Sequence, residues 1–171
     1  METLTCAFDA MSLLFLTQLQ ISTVDSIDSQ TWVKTFGTLP QLEWVCMQEF
    51  AACQFLEALV YKTEAAEKSK AAYLNVPFPK LRYIHLEGTY FCKTIPGSIS
   101  VNILLDCLME RCERNAEMQV LHLEGCNSIL SDDVELLEEI VVDVIWDGVE
   151  VVEQGDEDYY DDGYVSSSIS Y

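Results

Sequence analysis

The chain has 171 residues, half of them hydrophobic, with 29 acidic against 9 basic side chains and a formal charge of −20. That length fits one domain, and the apolar half excludes a wholly disordered chain. Residues 1–130 carry −6 and residues 131–171, which hold no basic side chain, carry −14, so nucleic acid and anionic membrane surfaces are poor partners.

Thr3 precedes Leu4, Ala7, Phe8 and Met11, the stripe of an amphipathic helix. The apolar run Leu13–Leu16 has no basic residue before it, so no secretory signal is expected. Leu16-Thr-Gln-Leu19-Gln-Ile21-Ser-Thr-Val24 has the form LxxLxL of a short strand. Asp28–Phe36 reads as a short helix stopped by Gly37 and Pro40. The strand frame returns at Leu42-Glu-Trp-Val45-Cys-Met47-Gln-Glu-Phe50. Ala51–Ala72, rich in Ala, Glu, Lys and Leu, predicts a helix ended by Pro77 and Pro79.

The third frame spans residues 81–89 and the fourth 118–126. They share the tetrapeptide His85-Leu-Glu-Gly88 and His122-Leu-Glu-Gly125. Between them Ser98 or Ser100 can cap a helix that places Ile103, Leu104, Cys107 and Leu108 on one face. Asp132 and Glu135 have capping-box spacing and open a helix running to Ile145, with Val134, Leu137, Ile140, Val141 and Val144 on its stripe. After Trp146-Asp-Gly148 the chain turns acidic and serine-rich. Residues 1–148 are therefore expected to form the folded array and residues 149–171 a disordered acidic tail, dispensable for folding from about Gly155.

Seven cysteines, an odd number without CxxC spacing, sit mostly among apolar residues, and no Asn-x-Ser/Thr acceptor occurs. Reduced thiols in a cytoplasmic or nuclear protein are expected. No apolar stretch approaches the ~20 residues of a membrane span.

Four LxxLxL frames starting at 16, 42, 81 and 118 are the mark of a leucine-rich repeat, with spacings longer than those of regular arrays. The expected fold is an α/β solenoid of about four irregular repeats. A parallel sheet would line its concave side and helices its convex side, each unit burying the apolar face of the next. Strand alternation turns Leu19/Ile21, Val45/Met47, Ile84/Leu86 and Leu121/Leu123 inward. Outward it leaves three rows: Gln18, Trp44, Tyr83 and Val120; Gln20, Cys46, His85 and His122; Ser22, Gln48, Glu87 and Glu124.

Several stretches resemble the repeat region of fungal F-box proteins. They are Leu39-Pro-Gln-Leu-Glu-Trp-Val45, Phe78-Pro-Lys-Leu-Arg-Tyr-Ile84, Leu105-Asp-Cys-Leu-Met-Glu-Arg-Cys-Glu-Arg-Asn115, Ser131-Asp-Asp-Val134, Val144-Ile-Trp-Asp-Gly148 and the Tyr-containing tail. The resemblance covers about residues 15 to 165. It implies a surface that recognises a substrate protein for a cullin-type ubiquitin ligase. No Leu-Pro-x-Glu-like helix start marks an F-box ahead of the repeats, so the likeness is to the C-terminal half of such a protein.

The expected function is therefore protein binding. Trp44 and Tyr83 would serve as aromatic anchors beside Cys46, Gln48, His85, Glu87, Val120, His122 and Glu124. A repeat fragment without a partner of its own is the alternative. The apolar segment before Leu16 offers no polar cap, which predicts self-association through the N-terminal edge. Catalysis is not expected. Cys46 with His85 has no orienting third group, and no phosphate-binding glycine loop occurs. Neither a metal nor another cofactor is expected: His85, His122, Cys46 and a glutamate are the right types for zinc, but repetition of one tetrapeptide already explains why the two histidines meet.

Overall fold

The computed structural model describes residues 13–22, 27–49, 51–60, 76–91 and 99–150. The helix expected around Leu4–Met11, the second half of that expected over 51–72, and the acidic tail beyond residue 150 lie outside them. The element order is β1 (Gln18–Ile21), α1 (Ser29–Thr35), β2 (Trp44–Gln48), α2 (Ala51–Leu59), β3 (Tyr83–Glu87), α3 (Val101–Glu113), β4 (Val120–Glu124), α4 (Ser131–Glu138) and β5 (Asp143–Trp146), after a 3-10 turn at Leu13–Phe15. The strands form one open parallel sheet in sequence order, β1-β2-β3-β4-β5, so the fold is α/β.

The register aligns the LxxLxL frames residue by residue. Leu19, Val45, Ile84, Leu121 and Val144 make one cross-strand row, and Ile21, Met47, Leu86, Leu123 and Trp146 the next. The first residues of the later frames, Leu42, Leu81, Met118 and Val141, are buried as well. All four helices send their buried side chains into the cluster that takes these inward residues. Trp32 comes from α1, Phe55 and Leu56 from α2, Leu104 and Leu108 from α3, and Val134 and Leu137 from α4. The helices therefore cover one face of the sheet, and the other carries none of them. Aromatic rings fill the first layers: Trp32 lies 5.4 Å from Phe55, and Phe55 lies 5.5 Å from Phe78.

The starts of α1 and α4 have a local cause. Asp28 caps α1, accepting from the Thr31 backbone N–H and hydroxyl at 2.8 Å, and these bonds hold its carboxyl below the usual range. Ser100 stands at the N-cap of α3, in extended conformation and without a side-chain bond. At α4 the carboxylate of Asp133 accepts from the Leu130 backbone N–H at 3.1 Å, two residues earlier in register than the expected Asp132/Glu135 pair. A leucine side chain cannot accept a hydrogen bond, so only half of the reciprocal cap exists.

The helix expected from Asp132 to Ile145 is a correction. It ends at Glu138, and Asp143–Trp146 forms a fifth strand instead. The β-branched run Val141-Val142 and Val144-Ile145 loses rotamer freedom in a helix. The far side of β4 offers unpaired backbone groups, which β5 satisfies. Val141-Val-Asp-Val144-Ile-Trp146 is the LxxLxL frame with valine and tryptophan replacing leucine, and reading it that way was the available signal. Among the described residues the sheet thus has five strands where about four repeats were expected.

A second regularity ties the units together. The residue after each of β2, β3 and β4 has a positive φ: Glu49 at 55°, Gly88 at 61° and Gly125 at 59°. In this left-handed turn the Glu49 N–H donates to the Glu87 carbonyl at 2.9 Å, and the Gly88 N–H to the Glu124 carbonyl at 2.8 Å. At Gly125 the donor goes to the Asp147 carboxylate at 2.6 Å, a side chain replacing the carbonyl of a further strand residue.

Arg111 on α3 is fully buried. It donates to the carbonyls of Pro77 and Phe78 at 2.8 and 3.0 Å, tying the chain ahead of β3 to the helix layer.

Candidate functional site

The face that none of the described helices covers displays the outward half of every described strand. Trp44 pairs with Tyr83, and Tyr83 with Val120; Cys46 pairs with His85, and His85 with His122; Gln48 pairs with Glu87, and Glu87 with Glu124. All nine residues expected on the face are there, in the expected order. The rings of Trp44 and Tyr83 lie 5.8 Å apart at 34°. Next to them is a shallow groove of about 410 Å3 whose walls include Glu43, Trp44, Arg82, Tyr83, Gln119 and Val120. Arg82 brings a cation to this edge of the face. Asp143 and Ile145 extend the rows on β5 and were missed with that strand.

Cys46 departs from expectation. It lies on the open face yet is only 2% exposed, because its neighbours close over it. A partner reaching this face would touch the rings around Cys46 and not its sulfur. Desolvation, with the Glu87 and Glu124 carboxylates adding to it, pushes its thiol pKa up, so the sulfur stays protonated. This argues against a nucleophilic role.

The two imidazoles stack, with ring centroids 4.2 Å apart and planes 9° from parallel. The His85 ring is held on both sides, and the His122 ring through its Nδ1. The Nδ1 of His85 meets Cys46 Sγ at 3.5 Å, and its Nε2 meets Glu124 Oε2 at 3.1 Å. The Nδ1 of His122 meets the Tyr83 hydroxyl at 3.3 Å, and its Nε2 lies 4.0 Å from the same Glu124 oxygen. Glu87, the repeat equivalent of Glu124, turns the other way and accepts from Gln48 Nε2 at 2.6 Å. The repeated tetrapeptide therefore produces two different environments. The cluster His85–His122–Glu124 offers three ligand atoms within 4.8 Å of one another.

No protein-family model matches this chain, and neither a curated protein nor a solved structure is significantly similar to it. Among the described residues no helix is long and apolar enough to cross a membrane.

Proposed function

We propose that this chain is a leucine-rich-repeat-type interaction module that binds a protein through the open face of its sheet. The observation that carries the reading is the paired Trp44 and Tyr83 on a face that none of the described helices covers, beside a ladder of polar side chains. Large rigid aromatics rimmed by hydrogen-bonding groups are the usual composition of a binding hot spot. The carboxylates Glu43, Glu87, Glu124 and Asp143 favour a partner segment with basic side chains. Set beside the resemblance to fungal F-box proteins, the role is substrate recognition within a ubiquitin ligase receptor. The β1 edge, with Leu14 and Phe15 60% and 82% exposed, is where self-association would start.

The test is affinity capture from a cell extract with the wild-type chain and with Trp44→Ser/Tyr83→Ser. Circular dichroism must first show that the double variant is folded. A protein retained by the wild type and lost from the variant supports the reading. Equal recovery on both, or none on either, refutes docking through this face.

A further inference from the structure

The repeat explains why His85 and His122 are adjacent, but not how their nitrogens are used. Both rings have Nδ1 engaged by a neighbour on the preceding strand, the Cys46 thiol for one and the Tyr83 hydroxyl for the other. Both turn Nε2 to a single carboxylate, Glu124, whose own repeat partner Glu87 is committed to Gln48. Two imidazole nitrogens and a carboxylate oxygen thus converge on one point. Such atoms repel one another unless a proton or a cation lies between them. We propose that His85 Nε2, His122 Nε2 and a Glu124 carboxylate oxygen bind one divalent transition-metal ion of the zinc class.

The two nitrogen–oxygen distances are close to those such an ion needs, and all three ligand atoms lie within 4.8 Å of one another. Zinc holds nitrogen and oxygen at about 2.0–2.2 Å, and a tetrahedral arrangement then spaces its ligand atoms roughly 3.3 Å apart. The His85–Glu124 separation is already 3.1 Å, and the His122–Glu124 separation of 4.0 Å must close by less than an ångström. The stacked rings also have to splay, so that the ion lies in both ring planes. His122 and Glu124, with side chains 26% and 54% exposed, have room to move.

Cys46 and Tyr83 act as the outer layer. With the metal on Nε2, each ring carries its proton on Nδ1 and donates it to Cys46 Sγ or to Tyr83 Oη, which sets tautomer and orientation. Cys46 is not itself a ligand, because it meets the far nitrogen of the His85 ring. Three protein ligands leave one coordination position for solvent. A mixed set of two imidazoles and one carboxylate selects a borderline ion over Mg2+ or Ca2+, which prefer oxygen alone.

The experiment uses the full-length chain, stripped of metal and titrated with Zn2+ in excess Mg2+, so that the many carboxylates of residues 131–171 are already occupied. One Zn2+ per chain is expected. His85→Gln and His122→Gln should each weaken binding more than about tenfold, and Glu124→Gln should weaken it in the same direction. Histidine 15N spectra of the wild type give a readout that needs no variant: Zn2+ should shift the Nε2 resonances of both histidines together and leave both rings as the Nδ1–H tautomer. Zinc uptake unchanged in the His85→Gln/His122→Gln protein would place the ion among the acidic residues and overturn the proposal. So would histidine resonances that stay in place at saturating zinc.

Discussion

The left-handed turn that closes β2, β3 and β4 provides a test in which only the backbone changes. A Cβ added to Gly125 would meet nothing nearer than the Gly88 backbone nitrogen at 3.9 Å, so Gly125→Ala introduces no clash. Its cost is conformational. Holding an L-residue at φ near +59° costs about 1–2 kcal/mol, while the less flexible unfolded chain gives back about 0.4–1 kcal/mol. The net loss is therefore about 0–1.6 kcal/mol, centred at about 0.8. Glu49 occupies the equivalent slot with the wrong residue type, so Glu49→Gly runs the same cycle backwards and should gain a similar amount. Urea unfolding followed by tryptophan fluorescence measures both, with unchanged m-values showing that the unfolded surface is the same. If Gly125→Ala is neutral while Glu49→Gly loses more than about 1 kcal/mol, side-chain contacts and not the backbone set the energy at these turns, and the argument fails.

The sheet's two faces should answer differently to truncation. Leu123→Ala, at a fully buried inward position, is expected to cost about 2–5 kcal/mol. Its neighbour His122→Ala should cost less than about 1 kcal/mol in the same unfolding assay; equal losses would contradict the facing. The described thiols should sort by burial: Cys112 is exposed and Cys107 and Cys126 are buried, so alkylation mapped by mass spectrometry should label Cys112 ahead of Cys107 and Cys126. Burial pushes the thiols of Cys107 and Cys126 up to about 12 and about 11. The unfolded chain then loses these protons at lower pH than the native one. The stability is intact below the ordinary thiol range and falls through the window from about 9 to 12; by about pH 11 the loss is roughly 2–3 kcal/mol per thiol. Cys107→Ala should flatten that alkaline slope, and a slope unchanged in the variant would show that other groups cause it.

Much of this architecture was legible in the sequence. A period of two within LxxLxL decides which side chains enter the core, and recurrence of the frame decides that strands lie parallel and in register. The frames at 42, 81 and 118 therefore located three strands and the nine outward residues. Asp28 marked a helix start because a cap is a local interaction. β5 escaped because Val134, Leu137, Ile140, Val141 and Val144 also satisfy a helical stripe. Periodicity cannot separate the two when the segment is short, and the open edge of β4 decided for the strand. The burial of Cys46 depended on neighbours 39 residues away. The two identical tetrapeptides could not say that Glu87 would turn to Gln48 while Glu124 reached His85. A repeat fixes where the backbone of each copy lies, but each side chain settles against its own cross-strand neighbours: β3 has Gln48 beside it on β2, whereas β4 has the two stacked histidines. That difference arises only once the strands are side by side, and it draws two imidazole nitrogens and one carboxylate to the same point.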